Sequence, residues 1–275
     1  METIYPYIRP PWWTLKANIH IDGNKDKAEK YHLQAISNPI PGHPTTHIYT
    51  DGSGINDGIG AAIFCPTSLY TEQRYLSTAS ESIVYAAELE AISMAITHVN
   101  ELTTGLTNIR RPKTCCIFTD SQPAIKSLTK PKRQSEQEII KRILDLIDKI
   151  HEAAPTYTIH LEWVPEHVGI EGNEKADQAA KQAATQKTNP LPKKTILKSA
   201  RANAIYQSIK QQNQNEWNNG KKTAVPLRQM SNTITAKAKP PTHIYEKLGN
   251  KRKRIAWIAR LRTGHCSLNQ YLARF

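Results

Sequence analysis

Two segments of the chain end alike, Ile48-Tyr49-Thr50-Asp51 and Ile117-Phe118-Thr119-Asp120, each an apolar run closed by an acid. Aspartate is a poor strand residue, so an acid at the end of a buried strand needs a partner or a task. Either ending alone is a common strand stop; the two together suggest a shared site. Glu88 sharpens the suggestion. It falls on the apolar stripe of a helical run, with Val84 at i−4, Ala91 at i+3, Ile92 at i+4 and Ala95 at i+7. A carboxylate on a face that enters a core is costly unless it is paired or binds a metal ion. Asp177 repeats the pattern in a later helix, sharing a face with Ala180 and Ala184. Neighbouring Glu90 is expected to point away as a solvated surface acid. No Lys or Arg stands at an obviously matching position for these four acids, which leaves a cation as their natural partner. Carboxylates without thiols form a hard-oxygen donor set that suits Mg²⁺ or Mn²⁺ better than zinc.

The elements that must hold these acids follow from hydrophobic periodicity. Residues 46–51, 60–65 and 69–76 read as the strands of an antiparallel meander, the first two joined by a Gly-rich turn. Residues 81–100 read as a helix begun by Ser80 or Ser82, and residues 115–119 as a short buried strand. Residues 123–128 and 136–153 read as helices, and residues 157–164 as a strand alternating Ile159, Leu161 and Trp163 against His160 and Glu162. An Ala-rich helix over residues 173–186, capped by Asn173, closes the series. The order βββαβααβα predicts an α/β fold with a mixed five-stranded sheet flanked by helices. Residues 1–44 read as a leader, in which Pro6, Pro10 and Pro11 break regular structure and Pro39, Pro41, Gly42 and Pro44 form a second cluster. Trp12 and Trp13 are expected to pack on the domain over residues 45–187. Residues 188–275 read as a basic tail, partly helical and partly irregular, with amphipathic spacing returning over residues 254–274.

Charge divides the 275-residue chain in two: residues 1–186 carry 18 Lys and Arg against 22 Asp and Glu, whereas residues 187–275 carry 19 against 2. An acidic first part followed by a basic tail fits carboxylate catalysis joined to phosphate binding; a solvated tail without a dedicated partner is the plainer alternative. The four cysteines, Cys65, Cys115, Cys116 and Cys266, have no zinc-ligand spacing and do not suggest a disulfide scaffold. The N-terminus METIYPYIRPPWW lacks the basic start and apolar run of a signal peptide, and no stretch approaches the length of a membrane span. A soluble, intracellular protein without membrane contact is expected. A calcium loop over residues 51–62 fails because Ile55 and Ala62 fall at ligand positions, and neither a P-loop nor a YxDD polymerase motif occurs.

The run TDGSGINDGIGAAIF, the helical AAELEAI, the strand-end FTDSQPAIKSL and the segment WVPEHVGIEGNEKADQAAKQA resemble, in order and spacing, the four motifs of type 1 ribonuclease H. The variety looks like the RNase H domain of a non-LTR, LINE-type retrotransposon polyprotein. YPYIRPPWW resembles the connector upstream of such a domain, and RKRIAWIARLRTGHCSLNQYL the stretch that follows it. The resemblance implies an RNase H-like fold and an endonuclease that hydrolyses the RNA strand of RNA–DNA hybrids by two-metal-ion catalysis. Two Mg²⁺ ions, with Mn²⁺ as substitute, would be held by Asp51, Glu88, Asp120 and Asp177. His167 matches a mobile-loop histidine that assists proton transfer and product release. Gln122 and Asn173 match substrate-contacting positions, and Ser53 is assigned to the same contact. An upstream reverse transcriptase would be the partner in the parent polyprotein, and the chain would act as a monomer.

There are departures from the family pattern. Pro165-Glu166-His167 stands where the family has Pro-Gly-His, adding a charge and removing flexibility. Val84 and Tyr85 stand where cellular enzymes carry an Asn pair that reads ribose 2′-hydroxyls. No basic handle is evident, which shifts substrate grip to the tail. The KRKR run at residues 251–254 has the composition of a nuclear import signal, although such a run is more often the basic start of a helix or a phosphate contact. The rival reading is a catalytically inactive nucleic-acid-binding remnant of such an element, disfavoured by the intact acids.

Overall fold

The computed structural model describes residues 1–6, 8–37, 45–104, 114–166, 169–191 and 196–219. Strand β2 (Thr45–Ile55) alternates Ile48, Thr50 and Gly52 on one face with Tyr49, Asp51 and Ser53 on the other. Residues of both sets are buried, so the strand belongs inside a sheet covered on two sides. It pairs antiparallel with β3 (Gly58–Cys65) and parallel with β5 (Thr114–Thr119). Strand β4 (Tyr70–Thr78) pairs antiparallel with β3, and β6 (Thr158–Trp163) pairs parallel with β5.

The sheet is mixed, as expected, but it has six strands instead of five: with β1 spanning Asn18–His20, the order is β1-β6-β5-β2-β3-β4. The added strand β1 (Asn18–His20) lies parallel to β6 and comes from the segment read as an irregular leader. Three residues are too few for alternation to register in a sequence. Helix α1 (Lys25–Ser37) lies in the same segment and buries only Ala28 and His32, so it shows no broad apolar stripe.

Helices α2 (Val84–Thr104), α3 (Gln122–Thr129) and α4 (Gln137–Ala153) share a core with Ile48, Ile63, Ile117 and Leu161 of the sheet. The stripe Ile140, Ile143, Leu144, Ile147 and Ile150 on α4 is at most 1% exposed, and each such side chain contributes about 1.5–3 kcal/mol by burial. The opposite face holds Tyr49, Phe64, Cys116 and Phe118, which pack with Ala176 of α5 (Glu171–Gln186) and Ile36 of α1. His32 of α1 meets Phe118 edge-on at 4.7 Å and shares a 2.8 Å hydrogen bond with the Tyr49 hydroxyl. A Cβ at Gly60 would lie 2.6 Å from the Ala180 carbonyl, so glycine there lets the α5 backbone rest directly on β3.

The start of the chain is tied to the same body. The Glu2 carboxylate accepts from the backbone N–H of Glu136 at 2.9 Å and of Lys198, at the start of α6 (Lys198–Asn219), at 2.7 Å. Trp13 donates to Asp148 at 3.0 Å and packs against the larger core, as expected, whereas Trp12 is 83% exposed. The chain divides into the units Met1–Ala202 and Asn203–Phe275. Of the second unit, the described side chains lie on α6 and are almost all exposed. The amphipathic segment over residues 254–274 lies outside the described residues. Among the described residues, no helix is long and apolar enough to cross a membrane.

Removing residues 1–44 would uncover Phe118, Tyr49 and the outer side of β6. A chain starting at Thr45 is expected to melt well below the full chain, by a destabilisation of several kcal/mol, two or three buried side chains' worth. Thermal unfolding followed by circular dichroism measures this, and an unchanged midpoint would show that β1 and α1 do not support the domain.

Candidate active site

Because β2 and β5 are parallel neighbours and Thr50 registers with Thr119, the next residue on each, Asp51 and Asp120, falls at the same edge of the sheet. The strand ends are fixed from both sides. The Thr50 hydroxyl donates to the Phe118 carbonyl at 3.2 Å, Val164 N–H donates to the Thr119 carbonyl at 2.9 Å, and the Trp163 indole donates to the Asp120 carbonyl at 2.9 Å. Helix α2 comes down on β2 at Gly52, where a Cβ would meet the Ala87 carbonyl carbon at 2.7 Å. Only a residue without a side chain allows that approach, and it delivers Glu88, the residue after Ala87, to the strand.

The result is a group of three carboxylates, Asp51, Glu88 and Asp120, with one oxygen from each lying within 4.8 Å of the others. Asp51 is 5% and Glu88 8% exposed. Burial pushes the Asp51 carboxyl up to about 8, with Asp120 and then Asp177 adding to the shift and Lys181 opposing it. Burial also pushes Glu88 well above the usual carboxylate range, helped by Asp51 and Asp120 and opposed by a hydrogen bond from the Gly52 N–H. Asp120 is raised to about 6, first by burial and then by Glu166, against a hydrogen bond from Asn173. Like charges held this close and this dry resist full ionisation unless a cation joins them. Glu88 Oε2 is buried with no hydrogen-bond partner among the described residues. A hard-oxygen cluster with an orphaned oxygen fits a divalent cation of the Mg²⁺ or Mn²⁺ type.

Of the four acids expected to share the cation, the fourth, Asp177, stands apart: its Oδ2 accepts from the Lys181 ammonium at 2.6 Å. Asp177 still faces the group, since its charge raises both Asp51 and Asp120. The expectation that no cation matches these acids is therefore corrected for Asp177; the i, i+4 spacing of Lys181 was visible in the sequence. Glu90 is also corrected. It is 1% exposed and gripped by Arg74 at 2.7 Å and by Arg142, because α2 lies between the sheet and α4 and its second side meets protein instead of water. Both arginines come from distant elements, which no helical periodicity could show.

Asn173 does not cap α5; the cap is Ile170, and Asn173 sits inside the helix, 6% exposed, hydrogen-bonded to Asp120. Gln122 opens α3 close to Asp120 in sequence, and its Oε1 accepts from Lys126 at 2.9 Å. Ser53 is buried on β2 opposite Gly60. His167 lies outside the described residues; its neighbour Glu166 exerts the largest charge effect on Asp120. Val84 is 43% exposed at the start of α2, and the Tyr85 hydroxyl accepts from Gln134 at 3.2 Å. Trp163 as an anchor of Asp120 was not singled out by sequence reasoning, whereas Glu166 was expected to add a charge and does act on Asp120.

The sequence model of the RNase H family matches residues 43–185 of this chain. Among solved structures the chain is similar to the crystal structure of RNase H1 from the halophilic archaeon Halobacterium salinarum NRC-1. The identity is 17% and the TM-score 0.36, over 51% of this chain and 97% of that one, which is too distant to carry an argument by itself. The family match spans more than half of the 275 residues and takes in all three clustered carboxylates. On that match the chain belongs to the RNase H family, and its activity class is that of a ribonuclease H.

Proposed function

We propose that the chain is an endonuclease that cleaves the RNA strand of RNA–DNA hybrids at a site built on Asp51, Glu88 and Asp120, with Asp177 completing it. Two Mg²⁺ ions, replaceable by Mn²⁺, would be held there. The observation that carries this reading is the convergence of three carboxylates, Asp51 and Glu88 buried and Asp120 half-buried, where the parallel pairing of β2 and β5 ends, with one Glu88 oxygen lacking a hydrogen-bond partner among the described residues. When bound, such ions supply an activated water and stabilise the leaving oxygen of the phosphodiester.

The chain's own groups hold the geometry. Gly52 N–H fixes Glu88, while Asn173 and Trp163 fix Asp120, so the donor oxygens are positioned by rigid elements instead of loops. His167 is the residue proposed to move a proton. Ser53, Gln122 and Asn173 are proposed to face the substrate, although buried Asn173 acts at least as much on Asp120. Recognition would run through phosphates and 2′-hydroxyls, with little base specificity. The basic residues 188–275 are proposed to add phosphate contacts. Motif resemblance supports an origin in a LINE-type retrotransposon with an upstream reverse transcriptase; action as a monomer is proposed alongside it, and the basic run over residues 251–254 is compatible with nuclear import or with phosphate contact.

A labelled RNA–DNA hybrid should be cut in Mg²⁺ or Mn²⁺ and left whole in EDTA, with RNA and DNA duplexes as controls. Asp120→Asn should lower turnover at least about 100-fold, since even groups behind a metal ligand cost 10–100-fold. Turnover near that of the wild type would contradict the assignment.

The raised carboxyls give a second test. Asp51, Glu88 and Asp120 bind protons more tightly in the folded chain than in the unfolded one. Without metal, stability is therefore greatest at low pH within this window and falls as pH rises from the ordinary carboxylate value of about 4 towards about 8. In EDTA, the urea midpoint should drop between pH 6 and pH 8.5, and Asp120→Asn should reduce the drop. A midpoint that rises over this range would show that the acids are not crowded.

A further inference from the structure

Lys181 carries an inference about how the site fills, which rests on the metal-site reading above. It lies one turn beyond Asp177 on α5, with its ammonium 2.6 Å from Asp177 Oδ2. The neighbouring pair Glu171–Lys175 has the same spacing and a similar distance, 2.7 Å, but Glu171 is 80% exposed at its side chain. Lys175 turns its ammonium over the Phe64 ring. Lys181 differs in what it faces. Its ammonium is bound to Asp177, an acid whose charge acts on the three-carboxylate group, and the charges of Asp51 and Glu166 act on Lys181 as well. Asp177, held by this contact, is not one of the three clustered carboxylates.

A protonated lysine cannot donate a lone pair to a metal, yet it occupies the oxygen through which Asp177 would bind one. The side chains of Lys181 and Asp177 are 45% and 30% exposed, and pairs of this exposure are weak. A divalent ion can therefore displace the ammonium, but at a cost in affinity. Among the described residues, no cationic side chain contacts Asp51, Glu88 or Asp120, so an ion held there meets no such competitor.

We propose that Lys181 is a built-in counter-cation of the site, which the second divalent ion must displace, so that it sets the ion concentration at which loading is complete. Loading is then sequential: the three-carboxylate group fills first and Asp177 joins afterwards.

The test is calorimetric titration of the full chain with Mn²⁺. The wild type should show a tighter and a weaker event. In Lys181→Gln the weaker event should tighten by roughly three- to tenfold, since a unit positive charge is removed beside a dication near the surface, while the tighter one shifts less. Lys181→Arg keeps the charge and should leave both events near the wild type. Glutamine and arginine are both good helix formers, so α5 is retained in either variant. Asp177→Asn should abolish the weaker event and, in that background, Lys181→Gln should leave only the small shift of the tighter one. A weaker event that is unchanged or weakened in Lys181→Gln would overturn the proposal, as would a single event in the wild type. Neither result touches the metal-site reading, whereas no Mn²⁺ binding at all would remove both.

Discussion

Three carboxyl groups that would repel one another, Asp51 and Glu88 buried and Asp120 half-buried, are pressed together, and most of the architecture around them serves to keep them there. The cost is borne by packing elsewhere. The α4 stripe, the sheet face of Ile48, Ile63 and Ile117, and the bare backbone contact at Gly52 hold α2 against β2 whether or not Glu88 is comfortable. Asp120 is held differently, by hydrogen bonds to its own carbonyl and carboxylate from Trp163 and Asn173. The outcome is a set of acids that cannot move apart to relieve their charge, which is the condition under which a divalent cation is bound strongly.

The opposite face of the sheet depends on the N-terminal segment. Phe118 and Tyr49 lie two residues before Asp120 and Asp51 on the same strands, and α1 covers them through His32. Strand β1 extends the parallel half of the sheet, so its carboxyl end at His20 leaves on the same edge as Asp120. Residues 1–37 therefore help build the frame of the site, although the family match begins at residue 43.

Much of this was legible in the sequence, for reasons that also mark where legibility stops. The strands ending near Asp51 and Asp120, the helix carrying Glu88 and the amphipathic α4 are set by local periodicity, and the structure keeps them within a few residues of their expected limits. Glu88 was found because an acid on an apolar stripe violates that periodicity. Glu90 was misjudged because a helix buried on two sides has no solvent face for an off-stripe acid, and that depends on where α4 lands. β1 and α1 escaped because one is too short and the other too polar for a pattern to show. Asn173 was mistaken for a cap because an asparagine near a helix start serves equally well as a cap or, one turn in, as a ligand for a neighbouring aspartate.

The central claim is that the buried acids converge to hold a metal ion, and the most direct measurement is the location of that ion. Crystals soaked in Mn²⁺ should give an anomalous difference peak within ligand distance of an oxygen from each of Asp51, Glu88 and Asp120. A crystal with the acids arranged as described, but with its strongest Mn²⁺ peak elsewhere or no peak at all, would contradict the account.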